Sequence, residues 1–355
     1  MRLPTTHKRK ILVIASLLSL IISTQLLSCR KSEIVLDENF AFIIPTGWPQ
    51  PFYNFEQNPV SKERFELGRK LFYDKQLSIN NSISCGTCHQ QFAAFAQIDH
   101  DISHGIFDRV GARNSPAIFN MNWNTSFFWD GRANHIEVQP LNPITDHNEM
   151  GETIENVVVK LSADARYKPM FQKAYGDETV SSQRILKALA QFMGMMVSDR
   201  SKYDLYKQGK ASLSAQEQSG LLVFEAQCAT CHKAPLFSDF SFRSNGLPLI
   251  LNSRGVIDSG KAAVPPFAAE NLYKFKVPSL RNLKYTRPYM HDGRYTTLEQ
   301  VLDHYAQIDP NAVNLDPLLQ NRIILSPVQR ADLLAFLNTL NDEAFVKDKR
   351  FAEVQ

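Results

Sequence analysis

Two short stretches decide the fold of this chain: Cys85-Gly86-Thr87-Cys88-His89 and Cys228-Ala229-Thr230-Cys231-His232. Cys-x-x-Cys-His is the attachment pattern of c-type haem, in which the cysteines form thioethers to the porphyrin and the histidine binds the iron from one side. The chain has 5 cysteines and 9 histidines in 355 residues, and four of those cysteines fall in these two motifs. The competing readings are a redox Cys-x-x-Cys pair and a zinc site. Zinc would need both pairs to meet on one metal and would leave the two adjacent histidines without a role. Two covalently bound haem c groups are therefore the expected cofactors.

Outward from the motifs, the chain repeats itself loosely. Gly68-Arg69-Lys70-Leu71-Phe72 precedes the first motif and Gly220-Leu221-Leu222-Val223-Phe224 the second. Trp129-Asp130-Gly131-Arg132 is echoed by His291-Asp292-Gly293-Arg294, and Glu137 and Glu299 each follow five residues after the arginine. Two diverged copies of one haem domain are the simplest account.

The local signals are helical and strand signals are weak, so the fold class is expected to be all-α with long irregular loops. Ser214-Ala215-Gln216-Glu217 reads as a capping box, and the helix it opens delivers the second haem motif at its end. Ser326-Pro327-Val328-Gln329 opens another helix with proline at its first position, and Leu333, Leu334, Leu337 and Leu340 form its apolar face. Ile185, Leu189, Phe192, Met193 and Met196 form a similar face, with the methionines read as core filler. Residues 98–126 and 243–277 read as irregular, and their length suggests that they cover haem edges.

Composition narrows the function classes. A 44% apolar content is ordinary for a globular protein, and a net charge of +3 is too small to point to a nucleic-acid partner. The start of the chain reads as an export signal. His7-Lys8-Arg9-Lys10 is a cationic block, Ile11 to Ile22 is apolar apart from Ser16 and Ser19, and Leu26-Leu27-Ser28-Cys29 resembles a bacterial lipobox. Cys29 would then carry a lipid and anchor the chain to a membrane, on the periplasmic side, where haem is attached. A retained membrane helix is the alternative, for which the apolar run is short. The expected organisation is a signal at 1–29, a linker at 30–54, one haem domain at 55–205, a second at 206–345 and a tail at 346–355.

Residues 55 to 345 resemble the bacterial di-haem cytochrome c peroxidases and their MauG-type relatives. Besides the haem motifs, the resemblance rests on Ile102-Ser103-His104-Gly105, Arg113-Asn114-Ser115-Pro116, Phe128-Trp129-Asp130-Gly131-Arg132 and Glu149-Met150-Gly151. Phe275-Lys276-Val277-Pro278-Ser279-Leu280-Arg281-Asn282 and Tyr289-Met290-His291-Asp292-Gly293 complete it, in the same order. It implies two cytochrome-c-like haem domains with the active site near their interface, and homodimers are common in the family.

The resemblance also assigns roles. The haem of Cys85, Cys88 and His89 matches the peroxidatic haem, and that of Cys228, Cys231 and His232 the electron-transfer haem. Glu149 matches the distal acid–base residue and Gln139 a distal amide beside it. His104 matches a histidine that caps the peroxidatic iron in many resting peroxidases. Trp129 matches the electron relay between the haems. Asn114, Thr286 and Pro288 match the residues that hold a calcium ion through oxygen donors.

At one place the chain departs from the peroxidase branch. That branch has a methionine fourteen residues after the histidine matched by His291, whereas this chain has Tyr305 there, with His304 beside it as a fallback ligand. Tyr305 agrees with the MauG-type pattern. Methionine is soft and raises the potential of haem iron, while a tyrosinate is a hard anion that stabilises higher oxidation states.

Three functions follow. The first is an exported peroxidase that reduces hydrogen peroxide with electrons from an external donor such as a small cytochrome c. The second is a MauG-like oxidase that uses peroxide to oxidise a protein or organic substrate. The third is a non-catalytic electron-transfer cytochrome, which would cap both irons on both faces and have no use for Glu149.

Overall fold

The computed structural model describes residues 40–98 and 100–354. The export segment and Cys29 lie outside the described residues. Among the described residues, no helix is long and apolar enough to cross a membrane.

The expected helices form. α1 (Lys62–Tyr73) starts at Ser61, whose hydroxyl accepts from the Arg64 N–H at 3.2 Å. A haem-motif turn, α2 (Cys85–Cys88), follows, and then α3 (Leu141–Thr145), α4 (Ile154–Ala163) and α5 (Lys168–Tyr175). α6 (Ser182–Gly194) buries Ile185, Leu189, Phe192 and Met193, the face read from the sequence, and Met196 lies buried just past its end. After α7 (Lys202–Lys207), α8 (Ala215–Gln227) begins with the expected capping box: the Glu217 N–H donates to the Ser214 hydroxyl at 3.2 Å and the Ser214 N–H to the Glu217 carboxylate at 2.7 Å. Cys228 caps its end. α9 (Leu298–Gln307), α10 (Pro327–Asn338) and the short α11 (Glu343–Val346) complete the helices. α10 has Ser326 as its N-cap and Pro327 in its first turn, where the missing N–H has no partner to lose.

The repeat in the sequence is a repeat of one helix crossing. α1 packs on α6 and α8 on α10. At the first crossing, a Cβ added to Gly68 would lie 2.0 Å from the Ala188 carbonyl oxygen. At the second, a Cβ on Gly220 would lie 1.9 Å from the Asp332 carbonyl oxygen. Only glycine lets either pair approach so closely. The two Asp-Gly-Arg turns also match. Gly131 (φ +75°) and Gly293 (φ +71°) both take the left-handed conformation, and Arg132 and Arg294 each fold back onto the aspartate two residues earlier. The glutamates five residues on do not share a role. Glu137 accepts from the Tyr53 hydroxyl at 2.7 Å, and Glu299 is exposed in the first turn of α9.

Two features go beyond the helical reading. A two-residue antiparallel ribbon pairs β1 (Phe242–Arg243) with β2 (Phe275–Lys276), joining the two ends of the long irregular stretch. The end of the chain is docked rather than loose. Phe345 and Phe351 are buried, their rings 5.7 and 6.2 Å from that of Phe95, and the Tyr73 hydroxyl donates to the Phe351 carbonyl at 2.7 Å. These rings extend the aromatic core of Phe65, Phe72, Phe95 and Phe192. The other core gathers Tyr203, Phe224, Phe237 and Phe336 around α8 and α10. Fully buried Arg281 forks onto Asp204 at 2.6 and 2.8 Å beside it, so neither buried charge is left unpaired.

Candidate active site

Each Cys-x-x-Cys-His motif opens onto its own cavity. The first, of 410 Å³, is lined by Cys85, Cys88 and His89, and the second, of 310 Å³, by Cys228, Cys231 and His232. The two cysteine pairs therefore do not meet on one metal, and among the described residues no cluster of three or more histidine, cysteine or acidic side chains is placed to hold one. Burial pushes the Cys85 and Cys228 thiols up to about 12 and Cys88 to about 11, the reverse of what a reactive thiolate redox pair requires.

The histidines fit haem ligation. His89 Nδ1 lies 2.9 Å from the Phe95 carbonyl oxygen, and His232 Nδ1 lies 3.2 Å from those of Phe237 and Pro278. Such bonds make Nδ1 the protonated nitrogen and leave Nε2 as the ligand atom. Burial lowers both histidines' pKa values and keeps the rings neutral, the form that binds iron.

The first cavity brings together most of the expected reaction residues. Gln139 and Glu149 flank α3 and line the cavity with Trp129, while Leu189 and Met193 of α6 give it an apolar wall. The Gln139 side-chain amide has no hydrogen-bond partner among the described residues. The Glu149 turn is held by its neighbour loop: the Ile106 N–H donates to the Glu149 carbonyl at 2.8 Å. Gly105 allows that contact, since a Cβ there would lie 2.0 Å from the Asn148 carbonyl oxygen. Glu149 has an open face, and that face is cavity wall. Protein packed around the rest of it pushes its carboxyl up to about 7, with Asp146 adding to the shift and Arg132 and Arg254 opposing it. A carboxyl with that pKa can both accept and release a proton near neutral pH.

His104 is at the rim. Its side chain is half-exposed, its Nδ1 pairs with Asp108, and the ring lines both the first cavity and a neighbouring surface cleft.

Trp129 lines both haem-motif cavities. Its indole N–H donates to the Asn114 carbonyl at 2.9 Å, and its own carbonyl accepts the Lys276 N–H at 2.8 Å. The repeat puts His291 at the matching place in the second half, where it stacks on Phe275 with the rings 3.6 Å apart.

In the second cavity, Leu298, Val301, Leu302 and Tyr305 line one wall at the three- and four-residue spacing of one α9 face. Burial pushes the Tyr305 phenol up to about 12, against a smaller downward pull from Asn245. His304 faces away: its Nε2 meets the Asn245 carbonyl at 2.9 Å, and it lines the surface cleft instead. Met290 also lines the second cavity, with its sulfur 3.5 Å from Asn245 Nδ2, a donor that its sequence position did not disclose. Asn114, Thr286 and Pro288 all line this cavity too.

Residues 62–212 match the family model described as di-haem cytochrome c peroxidase. Over 309 residues the chain is 36% identical to the methylamine utilization protein MauG of Methylorubrum extorquens, covering 84% of this chain and 83% of that one. The chain belongs to the di-haem cytochrome c peroxidase and MauG family. The cytochrome c551 peroxidase of Nitrosomonas europaea is 32% identical over 256 residues, covering 71% of this chain and 75% of that protein. A solved MauG-like protein associated with microbial copper homeostasis superposes with a TM-score of 0.78 at 33% identity, covering 87% of this chain and 98% of the other. As a member of this family the chain is a di-haem oxidoreductase with covalently bound haem c. Both branches, MauG and the peroxidases, are represented among its relatives.

Proposed function

We propose that this chain is an exported, peroxide-consuming enzyme of the MauG type, with a haem domain in each half and the first haem as the reaction centre. Cys85, Cys88 and His89 would hold a haem in the first cavity, and that group would supply the redox chemistry for O–O cleavage. The chain's own groups handle the protons. The Glu149 carboxylate takes a proton from one peroxide oxygen and delivers it to the other, which departs as water. Gln139 offers an amide to orient the peroxide, and His104 on its rim loop serves as a displaceable cap. Reducing one peroxide to two waters consumes two electrons and two protons. The electrons come from an oxidisable protein or organic substrate, and Trp129, in the wall common to both cavities, relays them.

Tyr305 carries the choice of branch. It faces the second cavity where the peroxidase branch has methionine, while His304 faces away. A hard oxygen ligand favours a second haem that holds oxidising equivalents over one that stores reducing electrons. The second reading, a peroxidase fed by a small cytochrome c, is favoured by Met290, a soft donor lining the same cavity. Steady-state oxidation of reduced small cytochrome c by peroxide separates the two. Slow turnover beside prompt reaction of the enzyme with peroxide supports the MauG-type reading, and rapid turnover supports the peroxidase reading.

Three further elements complete the proposal. Asn114 Oδ1 and the carbonyls of Thr286 and Pro288 are oxygen donors suited to calcium. The cationic and apolar start of the chain, with Cys29, directs it to the periplasm and anchors it there by lipid. Two copies pair as a homodimer.

A further inference from the structure

Lys276 belongs to a motif that the proposed function leaves unused. It ends β2, and its backbone N–H holds the Trp129 carbonyl at 2.8 Å. Its side chain lines the first cavity and the second. An ammonium has three N–H donors, and among the described residues this one has a single hydrogen-bond partner, the Ser126 carbonyl at 2.9 Å. It forms no salt bridge among them, and the Phe127 ring 6.0 Å away is its other favourable neighbour. By contrast, Arg113 is paired with Asp130 and Asp258, and Arg132 with Asp130. Burial lowers the Lys276 pKa to about 8, with Asp130 offsetting only part of the effect. A cation at the wall of two cavities with donors to spare lacks an anion.

We infer that Lys276 binds haem propionate carboxylate at the wall shared by the two haem cavities. This rests on the reading that both cavities hold haem. The chemistry matches: an ammonium is a compact donor for a carboxylate, and charge assistance makes such bonds strong where water is excluded. The same charge acts on the iron electrostatically. A cation nearby disfavours the more positive, oxidised haem, so Lys276 raises the potential of whichever haem it holds. Its backbone bond to Trp129 ties this anchor to the residue between the cavities.

The test uses matured holoprotein. Lys276→Met and Lys276→Gln are compared with Lys276→Arg, after haem content has been measured for each. Two readouts apart from turnover are taken: midpoint potentials by spectroelectrochemistry and the propionate bending modes in resonance Raman spectra. The expected result is a lower midpoint potential for at least one haem and shifted propionate modes in both neutral variants, with both returned toward the parent by arginine. Neutral variants that carry two haems and keep the parent's potentials and propionate modes overturn the assignment. Fewer than two haems in the parent itself contradicts the two-haem reading, so the two failures are distinguishable.

Discussion

Trp129 donates its indole N–H to the Asn114 carbonyl at 2.9 Å, which fixes an aromatic ring in the wall common to both haem-motif cavities. Asn114 has its own N–H on the His291 carbonyl, at 2.8 Å, and its side-chain NH₂ on the Asp101 carbonyl, at 3.0 Å. Trp129 is thus held by backbone from both halves of the sequence. Trp129→Phe should keep both haems and the fold but slow electron exchange between the haems. Stopped-flow spectra after mixing half-reduced protein with peroxide would show it, and parent-like exchange would remove Trp129 from the route.

Glu149→Gln should leave haem attachment intact and slow the reaction with hydrogen peroxide by about 10²–10⁴-fold, the usual worth of acid–base assistance. Rapid-mixing absorbance measures it directly. An unimpaired variant would assign the proton transfer to another group.

The pH dependence follows from the same residue. The Glu149 pKa is raised to about 7, and the form that accepts peroxide's proton is the carboxylate. The rate of the peroxide reaction should therefore rise about tenfold per pH unit at lower pH and level off above about 7. The Glu149→Gln variant should lose this dependence. A parent rate that falls as pH rises through 7 would mean that the protonated form is the active one.

Tyr305→Met should raise the midpoint potential of the second haem, because a soft neutral ligand replaces a hard anionic one. An unchanged potential would mean that Tyr305 is not bound to that iron.

The paired glycines predict stability. Gly68→Ala and Gly220→Ala each force a methyl group to within about 2 Å of a carbonyl oxygen on the facing helix. Each should destabilise the holoprotein by roughly 1–3 kcal/mol or more through overpacking, read as a lower Tm. Unchanged melting would mean that the helices separate there at no cost.

The sequence was most legible where the physics is local. The haem motifs, the capping boxes at Ser214 and Ser326 and the α6 face are each set by spacing along one segment. The Gly68 and Gly220 repeat was visible as pattern, and the structure supplies its reason, a helix crossing that admits no side chain. What was hidden depends on partners distant in sequence. Phe351 looks like part of a polar tail until the Phe65 and Phe95 cluster receives it. Neither Tyr305 nor His304 alone reveals which faces the cavity, since adjacent residues on a helix point about 100° apart and the helix orientation is fixed by packing. Lys276 gave no sign of its place because both cavities that it lines are assembled from segments far apart in the chain.

The central claim is that one haem iron is accessible to a small ligand while the other is held by Tyr305. Titrating the oxidised holoprotein with cyanide and following the Soret absorbance tests this most directly. The account predicts saturation at one cyanide per chain carrying two haems. Binding at both haems, or at neither in the oxidised and the half-reduced protein alike, would contradict it.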